Sequence, residues 1–182
     1  MKKKTFVIAL CLALVVAFAA GGAIAWLTDT TDSVTNTFTV GNIDISLAET
    51  TTDFKMIPGN TIAKDPKVTV KAGSEACWLF VKIEESDNLD TYISYTVATG
   101  WTQLTGVDGV YYRSVDATTA AAGTIYSVLA GDEVTVNGTV TKADMDAITK
   151  GTAIAPTLTF TAYAVQAAGI STAADAWAKT PR

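Results

Sequence analysis

The run Ala76-Cys77-Trp78-Leu79-Phe80-Val81-Lys82-Ile83-Glu84 carries the strongest structural signal in this chain. Side chains of an extended backbone alternate between two faces, so Cys77, Leu79, Val81 and Ile83 share one side and Trp78 and Phe80 the other. On either side of this run lie shorter alternating ones: Asn42-Ile43-Asp44-Ile45-Ser46-Leu47, Lys67-Val68-Thr69-Val70-Lys71 and Glu133-Val134-Thr135-Val136. Each reads apolar-in, polar-out, as a strand with one solvated face does. Thr157-Leu158-Thr159-Phe160-Thr161-Ala162-Tyr163-Ala164-Val165 keeps the same rhythm for longer. Thr, Val, Tyr and Phe dominate these runs because they fit a pleated, half-buried surface. Together they predict about nine strands.

Turn chemistry separates the runs. Asn137-Gly138 between Val134-Thr135-Val136 and Val140-Thr141 predicts a type I′ hairpin, since both residues tolerate positive φ. Asp108-Gly109 before Val110-Tyr111-Tyr112 predicts a second. Pro58-Gly59, Asp65-Pro66 and Ala155-Pro156 mark further breaks. A helix is expected over residues 142–150, entered by Thr141 as N-cap with Asp144 three residues on and stopped by Gly151. A second is expected from Thr172 to Lys179. Residues 117–123, Ala-Thr-Thr-Ala-Ala-Ala-Gly, read as a mobile surface loop. Strands about ten residues apart with one or two short helices predict an all-β sandwich of jelly-roll or Greek-key type. Crossover helices for a parallel sheet are missing.

At the N-terminus Lys2, Lys3 and Lys4 precede a stretch, Phe6 to Ala20, whose only polar side chain is the thiol of Cys11. Ala23-Ile24-Ala25 closes it. This is the basic, apolar, small-residue pattern of an export signal, with cleavage expected between Ala25 and Trp26. The alternative is a retained anchor, because residues 6–27 are largely apolar and about 20 residues span a bilayer. Gly21-Gly22 just before an Ala-x-Ala site favours cleavage. The expected organisation is a signal at 1–25, an extended segment at 26–40 and a sandwich domain at 41–182. No Leu-Pro-x-Thr-Gly motif stands near Arg182, so covalent attachment to a cell wall is not expected.

Composition excludes several functions. Without Lys2 to Lys4 the basic residues fall from 13 to 10 against 18 acidic ones, a net charge of −8. Such a chain, with no Lys/Arg cluster, cannot hold a phosphate backbone or anionic lipid, so nucleic acid is excluded and the only expected membrane contact is through the uncleaved signal. Removing the signal removes Cys11 and leaves Cys77 alone, expected as a buried small hydrophobe, with an intermolecular disulfide as the alternative. The chain has no histidine. That removes the Ser-His-Asp triad, the His-Glu-x-x-His zinc site and the usual general base. No cofactor, metal or catalytic residue is expected. Glu84 and Glu85 are adjacent on a strand, point to opposite faces and cannot share a substrate. Asp87-Asn88-Leu89-Asp90 lacks the glycine turn and distal Glu of a calcium loop and reads as a polar connector. Trp101, Tyr111 and Tyr112 could form a sugar platform, although core packing is the simpler reading and Tyr111 and Tyr112 point to opposite faces.

The segment after the cleavage site remains. Trp26-Leu27-Thr28-Asp29-Thr30-Thr31-Asp32-Ser33-Val34-Thr35-Asn36-Thr37-Phe38-Thr39-Val40 is extended in character and free of Gly and Pro. A strand that its own domain does not pair is suited to complete a neighbour's sheet, and head-to-tail repetition without closure makes a filament. The alternative is an edge strand of its own domain.

Ala25-Trp26-Leu27-Thr28-Asp29, followed by Val34-Thr35-Asn36-Thr37-Phe38-Thr39-Val40-Gly41-Asn42-Ile43-Asp44-Ile45, resembles the entry region of the TasA/camelysin family. These are secreted proteins of Gram-positive bacteria processed by SipW, a signal peptidase of the endoplasmic-reticulum type. Ile57-Pro58-Gly59-Asn60 with Val68-Thr69-Val70 is similar to the family's Pro-Gly strand entry, and Ala76 to Ile83 to its central strand. The resemblance implies a jelly-roll fold and a fibre-forming protein of the biofilm matrix whose mature N-terminus is donated as a strand. It implies self-association, the SipW-type peptidase and an accessory anchoring or matrix protein as partners. Trp26, Leu27, Val34 and Phe38 are the expected apolar anchors at the subunit interface. Two features depart from the family pattern: Trp26 stands where a small residue is usual, and Cys77 has no family counterpart. A monomeric surface adhesin or carbohydrate-binding sandwich is the alternative function. Camelysins are described as metalloproteases, which a chain without histidine does not suit.

Overall fold

The computed structural model describes Lys3, residues 41–50 and residues 54–181. The expected signal, its cleavage residues Ala23, Ala25 and Trp26, and the anchors Leu27, Val34 and Phe38 lie outside the described residues. The chain divides into two compact units, Met1–Thr39 and Val40–Arg182, and every element below belongs to the second.

Among the described residues there are ten strands: β1 (Ile45–Ala48), β2 (Thr61–Ala63), β3 (Lys67–Val70), β4 (Cys77–Glu85), β5 (Ile93–Ser94), β6 (Thr102–Gln103), β7 (Val110–Val115), β8 (Thr124–Ser127), β9 (Glu133–Val136) and β10 (Leu158–Gln166). Four short helices accompany them: α1 (Leu89–Tyr92), α2 (Ala117–Ala122), α3 (Lys142–Thr149) and α4 (Ala173–Trp177). All pairings are antiparallel, in three sheets ordered β1-β3-β8, β10-β4-β7-β6 and β2-β9-β5. The all-β class is therefore as the alternation predicts, with one strand and two helices more.

The first and third sheets run on from one another. β2 and β3 are separated by Lys64-Asp65-Pro66, and β8 and β9 by a turn that includes the 3-10 segment Ala130–Asp132. Val128 N donates to Pro66 O at 3.0 Å and Lys64 N to Asp132 O at 2.8 Å, so pairing continues across the bend. The unequal lengths of the two connections make a bulge, which bends a sheet. Gly131 (φ 69°) and Asp132 (φ 55°) take up the left-handed backbone there, a region Asp enters more readily than most residues. The result is one bent layer facing the flat layer β10-β4-β7-β6.

Burial follows the alternation in β4. Cys77, Leu79, Val81 and Ile83 face the core between the layers, with Val68, Val70, Val115 and Val128. Phe80 faces the other way, into a second cluster with Leu104, Val110, Ala173, Ala176 and Trp177. Helix α4 is what covers that outer face: Trp177 sits 5.3 Å from both Phe80 and Tyr163, ring centre to ring centre. A strand buried on both faces reads as nearly continuous apolar sequence, which is what Ala76 to Ile83 shows. A third cluster, Leu89, Tyr92, Ile93, Leu129, Val134, Val136 and Val140, fills the bent end beneath α1 and α3.

Three local expectations fail. Asn137-Gly138 makes no hairpin: β9 already has β2 on one side and β5 on the other, so the chain cannot fold back beside it. Asn137 N donates to Tyr92 O instead, and Val140 N closes a turn onto Asn137 O before α3 begins. Residues 117–122 form α2, not a loop, because the Asp116 carboxylate accepts from Thr119 N and Gly123 (φ 81°) ends the helix. The polar connector Asp87 to Asp90 runs into α1, whose Leu89 is 2 % exposed. By contrast the Asp108-Gly109 hairpin between β6 and β7 forms as predicted, with Gly109 at φ 68°. Helix α3 has the expected capping box of Thr141 and Asp144, and Thr172 caps α4.

Candidate functional site

Among the described residues β10 is the longest strand at a sheet edge. All nine of its residues pair with β4, from Leu158 opposite Glu85 to Gln166 opposite Cys77, and among the described residues no strand pairs along its other side. β1, the matching edge of the bent layer, pairs among the described residues with β3 alone. Ile45 and Leu47 of β1 and Phe160, Ala162 and Ala164 of β10 all pack on the core between the layers. A groove in two parts lies at the Leu158 end of β10, the first part between β10 and β1 and the second walled by residues of β2, α1, β5 and β9. One part, about 310 Å³, is lined by Leu47, Ala48, Glu49, Pro66, Leu158, Thr159 and Phe160. The other, about 470 Å³, is partly apolar, with Phe54, Met56, Ile62, Leu89 and Leu158 beside Lys64, Thr157 and Thr159 among its walls. Thr159 is exposed and lines both.

A buried ion pair stands where the two parts meet. Lys64 Nζ lies 2.8 Å from Glu49 Oε1, with the side chains 10 % and 15 % exposed. The ammonium sits 4.7 Å from the Phe54 ring centre and 5.3 Å from that of Phe160. Aromatic faces attract a cation, so the pair is enclosed on chemically favourable sides. Next to it Thr50 donates to the Asp65 carboxylate through both N (2.9 Å) and Oγ1 (2.6 Å). The Thr50 hydroxyl, then its N–H, hold the Asp65 carboxyl below its ordinary range. The chain leaving β1 is thus tied to the β2–β3 corner at two consecutive residues. The sequence offers no local signal for the Glu49–Lys64 pair, whose partners are 15 residues apart.

The aromatic candidates separate. Tyr112 joins the outer cluster, 5.9 Å from Trp78 and 6.3 Å from Phe80 between ring centres. Trp101 is nearly buried and donates its indole N–H to Ser127 O at 2.9 Å. The Arg113 guanidinium lies over Tyr126 at 3.7 Å and over Trp101 at 5.2 Å. Tyr111, on the opposite face from Tyr112 as alternation requires, lines an open cleft of about 580 Å³ with Trp101, Tyr95, Glu85, Asp90 and Ser94. Glu84 and Glu85 also part: Glu84 pairs with Lys82 at 2.6 Å, whereas Glu85 accepts from the Tyr95 hydroxyl. Burial first, then that bond, pushes the Tyr95 phenol well above its usual range.

Cys77 is 0 % exposed in the core, and burial pushes its thiol up to about 11. A thiol so placed is inert as a nucleophile or metal ligand near neutral pH.

The camelysin metallo-endopeptidase family model matches residues 1–77 of this chain. No curated protein and no solved structure is matched. The family's name implies a metal, and the donors among the described residues do not suit one. Histidine is absent from all 182 residues, and among the described residues no three His, Cys, Asp or Glu side chains come together to hold an ion. No helix among the described residues is long and apolar enough to cross a membrane. The match ends where β4 begins: it takes in the two segments 25–45 and 57–70 that carry the resemblance but only Ala76 and Cys77 of the central strand, so over its first 77 residues this chain is similar to the camelysin family, consistent with a TasA/camelysin resemblance.

Proposed function

We propose that this chain is a secreted, non-enzymatic structural protein that self-assembles into fibres of an extracellular matrix, residues 26–40 of one copy adding a strand along β10 of the next. The observation that supports it most is that, among the described residues, one side of β10 is unpaired and its first residues border a partly apolar groove. An exposed edge presents a row of unpaired N–H and C=O groups, a template for another chain. Reach is sufficient: fifteen extended residues cover about 50 Å at 3.3 Å each, and the nine of β10 only about 30 Å, leaving several residues to link one copy to the next. Trp26, Leu27, Val34 and Phe38 are the anchors assigned to the groove, because an apolar N-terminal segment is poorly accommodated in water.

Donation is head-to-tail, so it extends without closing. A SipW-type signal peptidase releasing Trp26 frees the donor, and an accessory matrix protein anchors the fibre. Electron microscopy of the exported chain beside one lacking residues 26–35 tests this. Filaments from the intact chain alone are expected, with the shortened chain folded and monodisperse; filaments from both would refute strand donation.

A further inference from the structure

We infer that the cleft between β4, α1, β5 and β7 is a binding site for neutral oligosaccharide chains. This site is separate from the β10 groove and does not depend on the fibre reading. The cleft holds about 580 Å³, within the size range of ligand sites generally. Three aromatic side chains line it: Tyr95 and Tyr111, both half-buried, and the nearly buried Trp101. A pyranose ring has an apolar C–H face that packs on such rings, and tyrosine adds a polar tip that can reach a hydroxyl.

The polar groups suit the same ligand. Glu85 and Asp90 line the cleft, both exposed, and among the described residues neither enters an ion pair. One oxygen of Glu85 accepts the Tyr95 hydroxyl, which fixes the carboxylate and leaves its other oxygen available. Ionised acceptors make the stronger hydrogen bonds, and sugar hydroxyls are donors that can use them. Ser94 supplies a further hydroxyl. The same two carboxylates repel uronates and phosphates, which selects neutral chains. Trp101 and its neighbour Arg113 make the base rigid: the guanidinium covers Trp101 and Tyr126, and the Trp101 indole N–H is already committed to Ser127 O. Rigid aromatic walls reduce the ordering cost of binding.

Saturation-transfer NMR and tryptophan fluorescence titration of the exported chain, which work for monomer or filament alike, test the site. Cellohexaose and N-acetylchitohexaose are the neutral probes, hexagalacturonate the anionic one and hexaglucosamine the cationic one. The expected result is transfer from protein to the ring protons of at least one neutral probe and none to hexagalacturonate. Asp90→Asn, an exposed substitution that leaves the fold intact by circular dichroism, should weaken that probe about tenfold, as losing a charged hydrogen bond does. Tyr111→Ala should abolish it. No transfer to either neutral probe, binding of hexaglucosamine alone, or a neutral probe bound equally by both variants would each overturn the inference.

Discussion

Glu49 and Lys64 show how much can rest on one contact. Taking a single partner from a buried pair strands the other charge, which costs about 3–5 kcal/mol. Glu49→Ala leaves the Lys64 ammonium between Phe54 and Phe160 with no anion, so urea unfolding should show a loss of about 3 kcal/mol or more. The double substitution Glu49→Leu, Lys64→Met should recover most of it, and additive losses in the double-mutant cycle would show that the pair is not coupled. Cys77 gives a pH prediction. Burial pushes its folded thiol up to about 11 from an ordinary value of 9.0, so between those values the unfolded chain loses its proton first. Stability is therefore constant below pH 9 with respect to this group and falls as pH rises from 9 towards 11. Thermal melts across that window should decline less steeply in Cys77→Ala than in the natural chain, the raised Tyr95 phenol keeping part of the decline. At pH 8 Ellman's reagent should leave the folded protein unmodified and react after unfolding. The Glu49–Lys64 pair and the burial of Cys77 are not equally readable in sequence. The alternation around Cys77 places it inward, whereas the ion pair depends on a corner that only the folded chain brings together.

Helix α4 contributes five residues, and its Trp177 covers the outer face of β4 against Phe80 and Tyr163. Trp177→Ala should cost about 3–5 kcal/mol, the range for removing a large buried aromatic. A loss under about 1 kcal/mol in chemical denaturation would mean the flat layer stands without its helix. Strands were legible wherever alternation was local: β4, β9 and β10 fall where the pattern puts them. The first run was placed too early, since Asn42 and Asp44 give their carbonyls to Glu75 N and Lys71 N while the ladder proper starts at Ile45. The Asn137-Gly138 signal failed for a non-local reason. A turn dipeptide selects a hairpin only if the strand before it has a free side, and β9 has none. Helix α2 has its markers in the sequence, Asp116 as cap and Gly123 as stop, but the Thr-Thr-Ala-Ala-Ala between them suits a loop as well as a helix, and the composition alone points to the loop.

Two facts meet at the scale of the whole chain: among the described residues the nine-residue β10 is paired along one side only, and the segment 26–40 proposed to pair with it lies outside the described residues. The sandwich and the absence of catalytic histidine were readable beforehand. Which strand would be left open was not, because an edge is a property of strand order and not of any one strand's sequence. Natural edges are often blunted by lysine. Thr159→Lys puts a charge at the exposed position that lines both parts of the groove, so it should leave folding intact and abolish filament growth. Donor and acceptor then sit on separable variants. The most direct measurement mixes Thr159→Lys, which keeps its donor segment, with the chain lacking residues 26–35, which keeps its acceptor edge, and follows the mixture by size-exclusion chromatography with light scattering. The account predicts that each variant alone is monomeric and that the mixture gives a one-to-one heterodimer and nothing longer. Filaments from either variant alone, or a mixture that stays monomeric, would contradict it.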